Sequence, residues 1–462
     1  MKSCTRHALH LAVLLLLLLL MLVSRKRRAV VVPPRAGRPR GQDGEAGISG
    51  DAGALDLGEP LPFEVEWRVP VGCGFSGFFV EVALGFMPAL AQTRRFALLC
   101  GRCDENFLSE RLTPAEAQAF RAVWTDEAAR SPAQTRRSVV IEHGDPCGMR
   151  RFAPSKRPLW LIARAMTEGD LPQAHAACLS EADEVWVPTH WHVERFEAAG
   201  VSRAKLRVVP EPVDVSTFAP SPRPAPSADS STAASATEPF VFFSNFKWEQ
   251  RKGWDLLLRA FWAEFDTDAD RGRVLLRIKS YLPSWEPGPR DLEEWVDHFA
   301  VEQGKRRSSL PRVELLQAED TSRAALKAMY VSAHAFVLPT RGEGWGLPIA
   351  EAMAMGLPVI ATNWSGPTAF LRPDNAFALP PTTRLPGGQA EPSLKQLRRA
   401  MRRVLEEPSE AARRGARARD DMVRWFAPRR VAGLALARLR EVRAEACAAR
   451  PTHSACAVGV KH

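Results

Sequence analysis

Two carboxylates, Glu343 and Glu351, stand eight positions apart in Arg341-Gly-Glu-Gly-Trp-Gly-Leu-Pro-Ile-Ala-Glu351. Gly342, Gly344 and Gly346 permit tight turns and close approach of a ligand. Pro348 suits the first position of a helix. Apolar runs at 335–339 and 348–354 flank the segment, which reads as strand, glycine-rich turn and helix start. Free N–H groups at a helix start can hold a diphosphate, and carboxylates on either side can hold sugar hydroxyls. The pattern suits an anionic ligand with hydroxyls at both ends, such as a sugar nucleotide.

A charge partner lies upstream. Lys247, Arg251 and Lys252 cluster within 244–253, between an apolar run at 240–246 and a helical pattern at 254–265. Fixed cations at a strand end can stabilise the charge that grows on a departing diphosphate. The bland alternative is a solvated basic turn. A further polar turn spans 361–370, where Ser365 and the N–H of Gly366 could meet phosphate or acceptor, or Ser365 could cap a helix. In the first half, the glycine-rich stretch 70–77 around Gly74 lacks both the G-x-G-x-x-G spacing and an acid placed for a ribose. It reads as a backbone wall of a cleft, not as a dinucleotide site. His143 stands at the tip of a buried run, where it could hydrogen-bond a sugar hydroxyl and is a catalytic candidate with Glu343 and Lys252; Arg164 and Glu168 follow another run and, with Gly74, are the acceptor-side candidates.

Short apolar runs must position these groups. Strands are expected at 63–69, 95–100, 138–142, 159–163, 184–188 and 205–209, with helices at 77–90 and 192–199. After a stretch of Pro, Ser, Ala and Thr (219–238), strands at 240–246, 274–279, 312–316, 335–339, 358–362 and 376–379 alternate with helices at 254–265, 324–332, 394–405 and 410–425. Alternation of this kind implies parallel sheets flanked by helices. Two such α/β domains enclose a cleft, and ligands bind at the C-terminal ends of the strands lining it. The loops at 104–136 and 284–308 carry no legible motif.

A chain of 462 residues is too long for one core. Its net charge of +10 is misleading, because residues 1–40 hold nine Lys/Arg and no acid. The other 422 residues carry 54 basic and 53 acidic groups, so the body lacks the basic footprint of a nucleic-acid binder. The leader has an apolar run at 8–23 and then Arg25-Lys-Arg-Arg28. This run is close to the length of a spanning helix and overlaps a signal-peptide core. No clear Ala-x-Ala cleavage site follows, which favours an uncleaved signal anchor over a cleaved signal or a transit peptide. The basic cluster after the span leaves the orientation open. Eight cysteines are too few for a disulfide scaffold. Cys100-Gly-Arg-Cys103 lacks the second pair that zinc needs, and it reads as packing or, in a lumen, a disulfide. Cys447 and Cys456 could pair, and no metal is assigned.

From about Trp67 to Leu439 the chain resembles the retaining GT-B glycosyltransferases of family GT4, the glycosyl transferases group 1 domain. The resemblance rests on Lys247-Trp-Glu-Gln-Arg-Lys-Gly-Trp254, Arg341-Gly-Glu-Gly-Trp-Gly346 and Asn363-Trp-Ser-Gly-Pro-Thr368, with support from Arg164-Ala-Met-Thr-Glu168 and Asp183-Glu-Val-Trp-Val-Pro188. It implies a GT-B fold, two Rossmann-like domains facing across a cleft, here with an N-terminal membrane anchor. The expected organisation is a tail (1–7), anchor (8–23), stalk (24–60), acceptor domain (61–218), linker (219–238), donor domain (239–425) and C-terminal helix and tail (426–462). It implies a metal-independent transfer of a hexose from a nucleotide diphosphate to a hydroxyl acceptor, with no cofactor beyond the donor. Glu343 would contact the donor sugar and Glu351 the ribose. Lys252, with Lys247 or Arg251, would bind the diphosphate, and His143 would be the cleft histidine. Gly344, Trp345, Gly346, Leu347, Ser365 and Gly366 complete the donor wall. One departure stands out: Ser244-Asn-Phe-Lys247 replaces the arginine that many members carry after a glycine there. The layout is that of a single-pass Golgi or ER enzyme. A sugar-nucleotide epimerase or hydrolase, or an inactive binding module, would share the scaffold.

Overall fold

The structure, a computed structural model, describes residues 61–69, 77, 81–100, 112–126, 129–222, 238–319 and 321–456. The proposed anchor and stalk and the candidate Gly74 lie outside them. Among the described residues no helix is long and apolar enough to cross a membrane.

Two parallel sheets organise the chain. The first holds β1 (Val65–Val69), β2 (Phe96–Cys100), β3 (Trp124–Thr125), β4 (Val139–His143), β5 (Trp160–Arg164), β6 (Glu184–Val187) and β7 (Leu206–Val208), in the order β3-β2-β1-β4-β5-β6-β7. The second holds β8 (Phe240–Lys247), β9 (Val274–Tyr281), β10 (Val313–Gln317), β11 (Ala335–Leu338), β12 (Val359–Thr362) and β13 (Phe377–Leu379), in the order β10-β9-β8-β11-β12-β13. Strands such as Val359–Thr362 and Trp160–Arg164 are buried along their whole length, which is why they read as continuous runs and not as alternating ones. A two-stranded hairpin, β14 (Pro381–Arg384) and β15 (Ala390–Pro392), is added near the cleft.

Each sheet reverses its strand order once, between β1 and β4 in the first and between β8 and β11 in the second. Such a switch point opens a crevice beyond the strand ends. The turns that follow β8 and β11 are the two that the sequence marked with cations and glutamates.

The structure departs from the expected elements in identifiable places. Where one helix is expected at 77–90, a π-helical turn over Glu81–Phe86 runs into a short helix, Met87–Leu90. Pro88 cannot donate to the preceding turn, and a widened turn absorbs the defect. The loops without a motif contain helices Pro114–Val123 and Leu292–Glu302. The first carries a Thr113/Glu116 capping box, a local signal that could have found it. Pro428–Ala449 is one long helix. Its Val431, Ala435, Leu439, Val442 and Ala446 are buried in the core of the first sheet, so the chain returns to that domain after building the second.

Candidate functional site

The turns after β8 and β11 are stitched together by their own backbones. The Arg341 amide donates to the Arg251 carbonyl (2.7 Å), and the Arg251 guanidinium donates to the Gly342 carbonyl (2.7 Å). Arg341 is only 5% exposed. It is held by both oxygens of Asp255 at 2.8 Å each and by Glu391 at 2.8 Å. A bidentate guanidinium–carboxylate pair fixes orientation as well as distance, so the strand-to-helix turn starts from a rigid post.

Glu343 lies at the centre, 4% exposed. Lys252 Nζ donates to its two carboxylate oxygens at 2.8 and 2.7 Å, and Arg251 Nη1 is 3.6 Å away. Burial pushes the Glu343 carboxyl up, but Lys252, Arg251 and hydrogen bonds from Lys252 and Thr340 outweigh it and hold it below its usual value. Burial also lowers the Lys252 ammonium, with Arg251 adding to the effect against the pull of Glu343. The Glu343 amide donates to Ser365 Oγ (2.8 Å), and the Gly366 amide donates to the Glu343 carbonyl (3.0 Å). The Ser365 hydroxyl also reaches the Trp364 carbonyl at 2.7 Å. It makes no cap hydrogen bond, so it sets the glutamate's backbone instead of a helix end. Ser365 has φ 56°, a left-handed value that a non-glycine residue adopts at a cost.

Glu351 sits one helical stretch away on Leu347–Ala354, whose start carries no side-chain cap. Pro348 has no N–H and the Ile349 amide turns back to the Gly346 carbonyl at 3.0 Å, so the Leu347 amide is the helix-start donor that can meet an anion. Tyr330 donates to Glu351 Oε2 at 2.9 Å. Burial raises the Glu351 carboxyl to about 8, against the hydrogen bond from Tyr330.

The other candidates separate into two groups. Gly344, Gly346 and Leu347 line the same turn. Trp345 turns inward, 2% exposed, against Phe370 and Phe426, so only its backbone borders the turn. Lys247 is not brought to Glu343. Its ammonium lies 4.7 Å over the Trp285 ring and 3.7 Å from Glu249. On the facing domain, Glu168 meets Arg251 across the cleft at 3.1 Å. His143 and Arg164 lie deeper. Arg164, 1% exposed, binds Glu81 through Nε at 2.6 Å and donates to the carbonyls of Val209 and Pro210 at 2.8 and 3.3 Å. His143 Nδ1 accepts from Trp67 (3.3 Å), and Nε2 lies 3.5 Å from Glu81. Burial, then Arg164, holds the ring well below its usual pKa and hence neutral.

Sequence reasoning missed Glu81, Tyr330 and Glu211, all drawn in by packing from distant segments. It also missed one cysteine pair. Cys447–Cys456 is bonded as expected, Cys147–Cys178 was not foreseen, and Cys100 is a buried free thiol. Among the described residues, Asp145, Cys147 and His175 place ligand atoms within 4.8 Å of one another. They lie at the surface, and the disulfide engages the Cys147 sulfur.

The raised Glu351 carboxyl has a consequence for stability. An unfolded glutamate ionises near its ordinary 4.5, the folded one near about 8. Between those values the folded state binds the extra proton, so stability falls as pH rises through the window. Glu142, raised by burial to about 7 against Arg68, adds slope of the same sign. Glu351→Gln removes the first contribution. Its melting temperature should gain on the wild type by several degrees between pH 5 and 9, on the order of a few kcal/mol. Parallel melting curves for the two proteins across that range would count against this protonation state.

Two parallel sheets of this order, with acid and cation turns at the switch point of the second, have the GT-B fold. Residues 238–386, within the second domain, match the family model for glycosyl transferases group 1. The D-inositol 3-phosphate glycosyltransferase of Kineococcus radiotolerans is 28% identical over 266 residues, 55% of this chain and 58% of that one. The chain thus spans little more than half the length of that relative. Two solved structures share the fold across nearly the whole body. Anabaena HepE in complex with UDP-glucose is 14% identical with a TM-score of 0.54, covering 84% of this chain and 99% of that one. The sucrose-phosphate synthase of Thermosynechococcus elongatus is 18% identical with a TM-score of 0.56, covering 83% of this chain and all (100%) of that one.

Proposed function

We propose that the protein transfers a hexose from a nucleotide diphosphate donor to a hydroxyl acceptor, with retention at the anomeric carbon and without a metal. The observation that carries this reading is the Lys252–Glu343–Arg251 group at the donor-side switch point, within a matched glycosyl transferases group 1 domain. In this reading Glu343 holds donor-sugar hydroxyls and Glu351 holds the ribose. The diphosphate lies against Lys252 and the helix start at Leu347. Arg251, which stands beside Glu343 where Lys247 does not, takes the place of the family's usual arginine. As the glycosidic bond breaks, negative charge grows on the diphosphate, and cations already in place stabilise it without reorganising. The leaving phosphate accepts the acceptor's proton, so no enzymic nucleophile is required. The UDP-glucose in the HepE complex makes UDP-sugars the first donors to test.

The test is a panel of UDP- and GDP-sugars, scored by thermal shift and then by product analysis with labelled donor. A stabilising donor and a labelled glycoside are expected. Free sugar or an isomerised nucleotide in place of the glycoside would favour a hydrolase or epimerase, and no binding at all would favour an inactive module.

We also propose that the leader at 8–23 anchors the enzyme in an ER or Golgi membrane with the body in the lumen. The two cysteine pairs among the described residues support an oxidising compartment. Peptide mapping of protein from cells, alkylated without reduction, should recover both pairs crosslinked and the leader in the membrane fraction. Freely alkylated Cys147, Cys178, Cys447 and Cys456 would contradict the luminal placement.

A further inference from the structure

Glu211 follows β7, between Pro210 and Pro212, and is 6% exposed. Its Oε1 is fully buried and has no hydrogen-bond partner among the described residues. It cannot readily swing out to find one. The prolines on either side restrict the backbone, and Arg164 grips the two carbonyls just before it, those of Val209 and Pro210, at 2.8 and 3.3 Å. Just after it, Pro212 packs so tightly on Gly85 that a Cβ there would meet its ring at 2.1 Å. A buried carboxyl oxygen held rigidly without a partner opposes folding. Such a group needs a reason to persist.

Its surroundings supply one. Glu81 and Arg164 face it from its own domain, and Glu343 faces it from the donor turn. Lys252 and Arg251 pair with Glu343. The carboxyl is therefore at the junction of the two domains, within electrostatic reach of the group proposed to hold the donor sugar. Burial, with Glu81 and Glu343 added and Arg164 opposing, raises it well above its usual value. These surroundings favour its neutral form, which can donate.

We infer that Glu211 is a further substrate-contacting residue, whose carboxylic acid hydrogen-bonds a hydroxyl of the sugar held against Glu343. The inference rests on the proposed sugar transfer. It accounts for surroundings that favour the neutral acid, since an ionised carboxylate beside Glu343 would repel the diphosphate. It also explains the missing partner, which the sugar supplies.

The experiment compares Glu211→Leu and Glu211→Gln with wild type in the full chain. Glu211→Leu is expected to melt at the same or a higher temperature. Stabilisation by UDP or GDP alone should be unchanged in both variants. The extra stabilisation that UDP-glucose or GDP-mannose gives wild type over the bare nucleotide should vanish in Glu211→Leu, and kcat/KM should fall at least tenfold. Glu211→Gln, whose amide can still donate, should stay within about threefold of wild type. Wild-type kcat/KM in Glu211→Leu would overturn the inference while leaving the proposed function standing. So would a lower melting temperature with equal losses in both variants, which would mark a structural role. A wild-type protein that binds nucleotides but neither sugar nucleotide would remove the proposed function, and this inference with it.

Discussion

Replacing Lys252 with alanine is expected to lower transfer by about 10²–10³-fold, the usual effect of deleting one preorganised electrostatic group from a transition-state site. The ammonium lies 2.7 and 2.8 Å from the two oxygens of Glu343. In the reading above it also faces the diphosphate, so its loss acts twice. The departing group loses a fixed cation, and Glu343 loses the charge that keeps it ionised and oriented. Breaking a buried pair by removing one partner costs about 3–5 kcal/mol. Arg251, at 3.6 Å, compensates in part, so the variant should fold and melt only a few degrees lower. Nucleotide-diphosphate stabilisation in the thermal-shift assay should largely disappear. Lys252→Arg should rescue only in part: its guanidinium can pair with both oxygens of Glu343, but the larger planar group does not place a compact point charge at the same spot for the diphosphate. An alanine variant that transfers at the wild-type rate would remove Lys252 from the site.

The parts of this site that were legible in the sequence are those written locally. Glu343, Glu351, the glycines and the cations at 247–252 lie within two short segments, each flanked by an apolar strand and a helical pattern. A parallel sheet then brings the two segments together, because β8 and β11 are neighbours at the switch point. Local spacing does not say which of three adjacent cations turns inward. Lys247 ends β8 on the side of Trp285, whereas Arg251 and Lys252 lie on a single 3₁₀ turn facing Glu343. Nor does it reveal partners set by distant packing. Tyr330 reaches Glu351 from 21 positions upstream, and Arg164 reaches Glu81 across 83. Arg164 read as an acceptor-side group because it ends a strand at the cleft, yet its hydrogen bonds to Glu81, Val209 and Pro210 lie within its own domain. The chain's return through Pro428–Ala449 was hidden for a similar reason. An amphipathic helix announces a buried face but not the core that receives it.

The second large effect is expected at Gly366. A methyl group built there would lie 2.3 Å from the Gly344 carbonyl oxygen, 2.6 Å from Trp345 Cα and 2.7 Å from the Gly344 carbonyl carbon. All three are backbone atoms, so no side chain can rotate away. Accommodation must move the turn that carries Glu343, and that turn is tied to this segment by the Gly366 amide at 3.0 Å and the Ser365 hydroxyl at 2.8 Å. Trp345 and Phe370 pack behind it at 5.0 Å between ring centroids, which leaves displacement towards the cleft. A shift of about 1 Å in a positioning element is enough to cost on the order of 10²-fold in rate. Gly366→Ala should therefore lose at least that much transfer and most donor stabilisation, with far-UV circular dichroism unchanged. Gly272→Ala is the matched control: it has open space around the same methyl group and should behave as wild type. If Gly366→Ala retained full transfer, the turn would have to be looser than these contacts allow, and the rigid placement of Glu343 would fall with it.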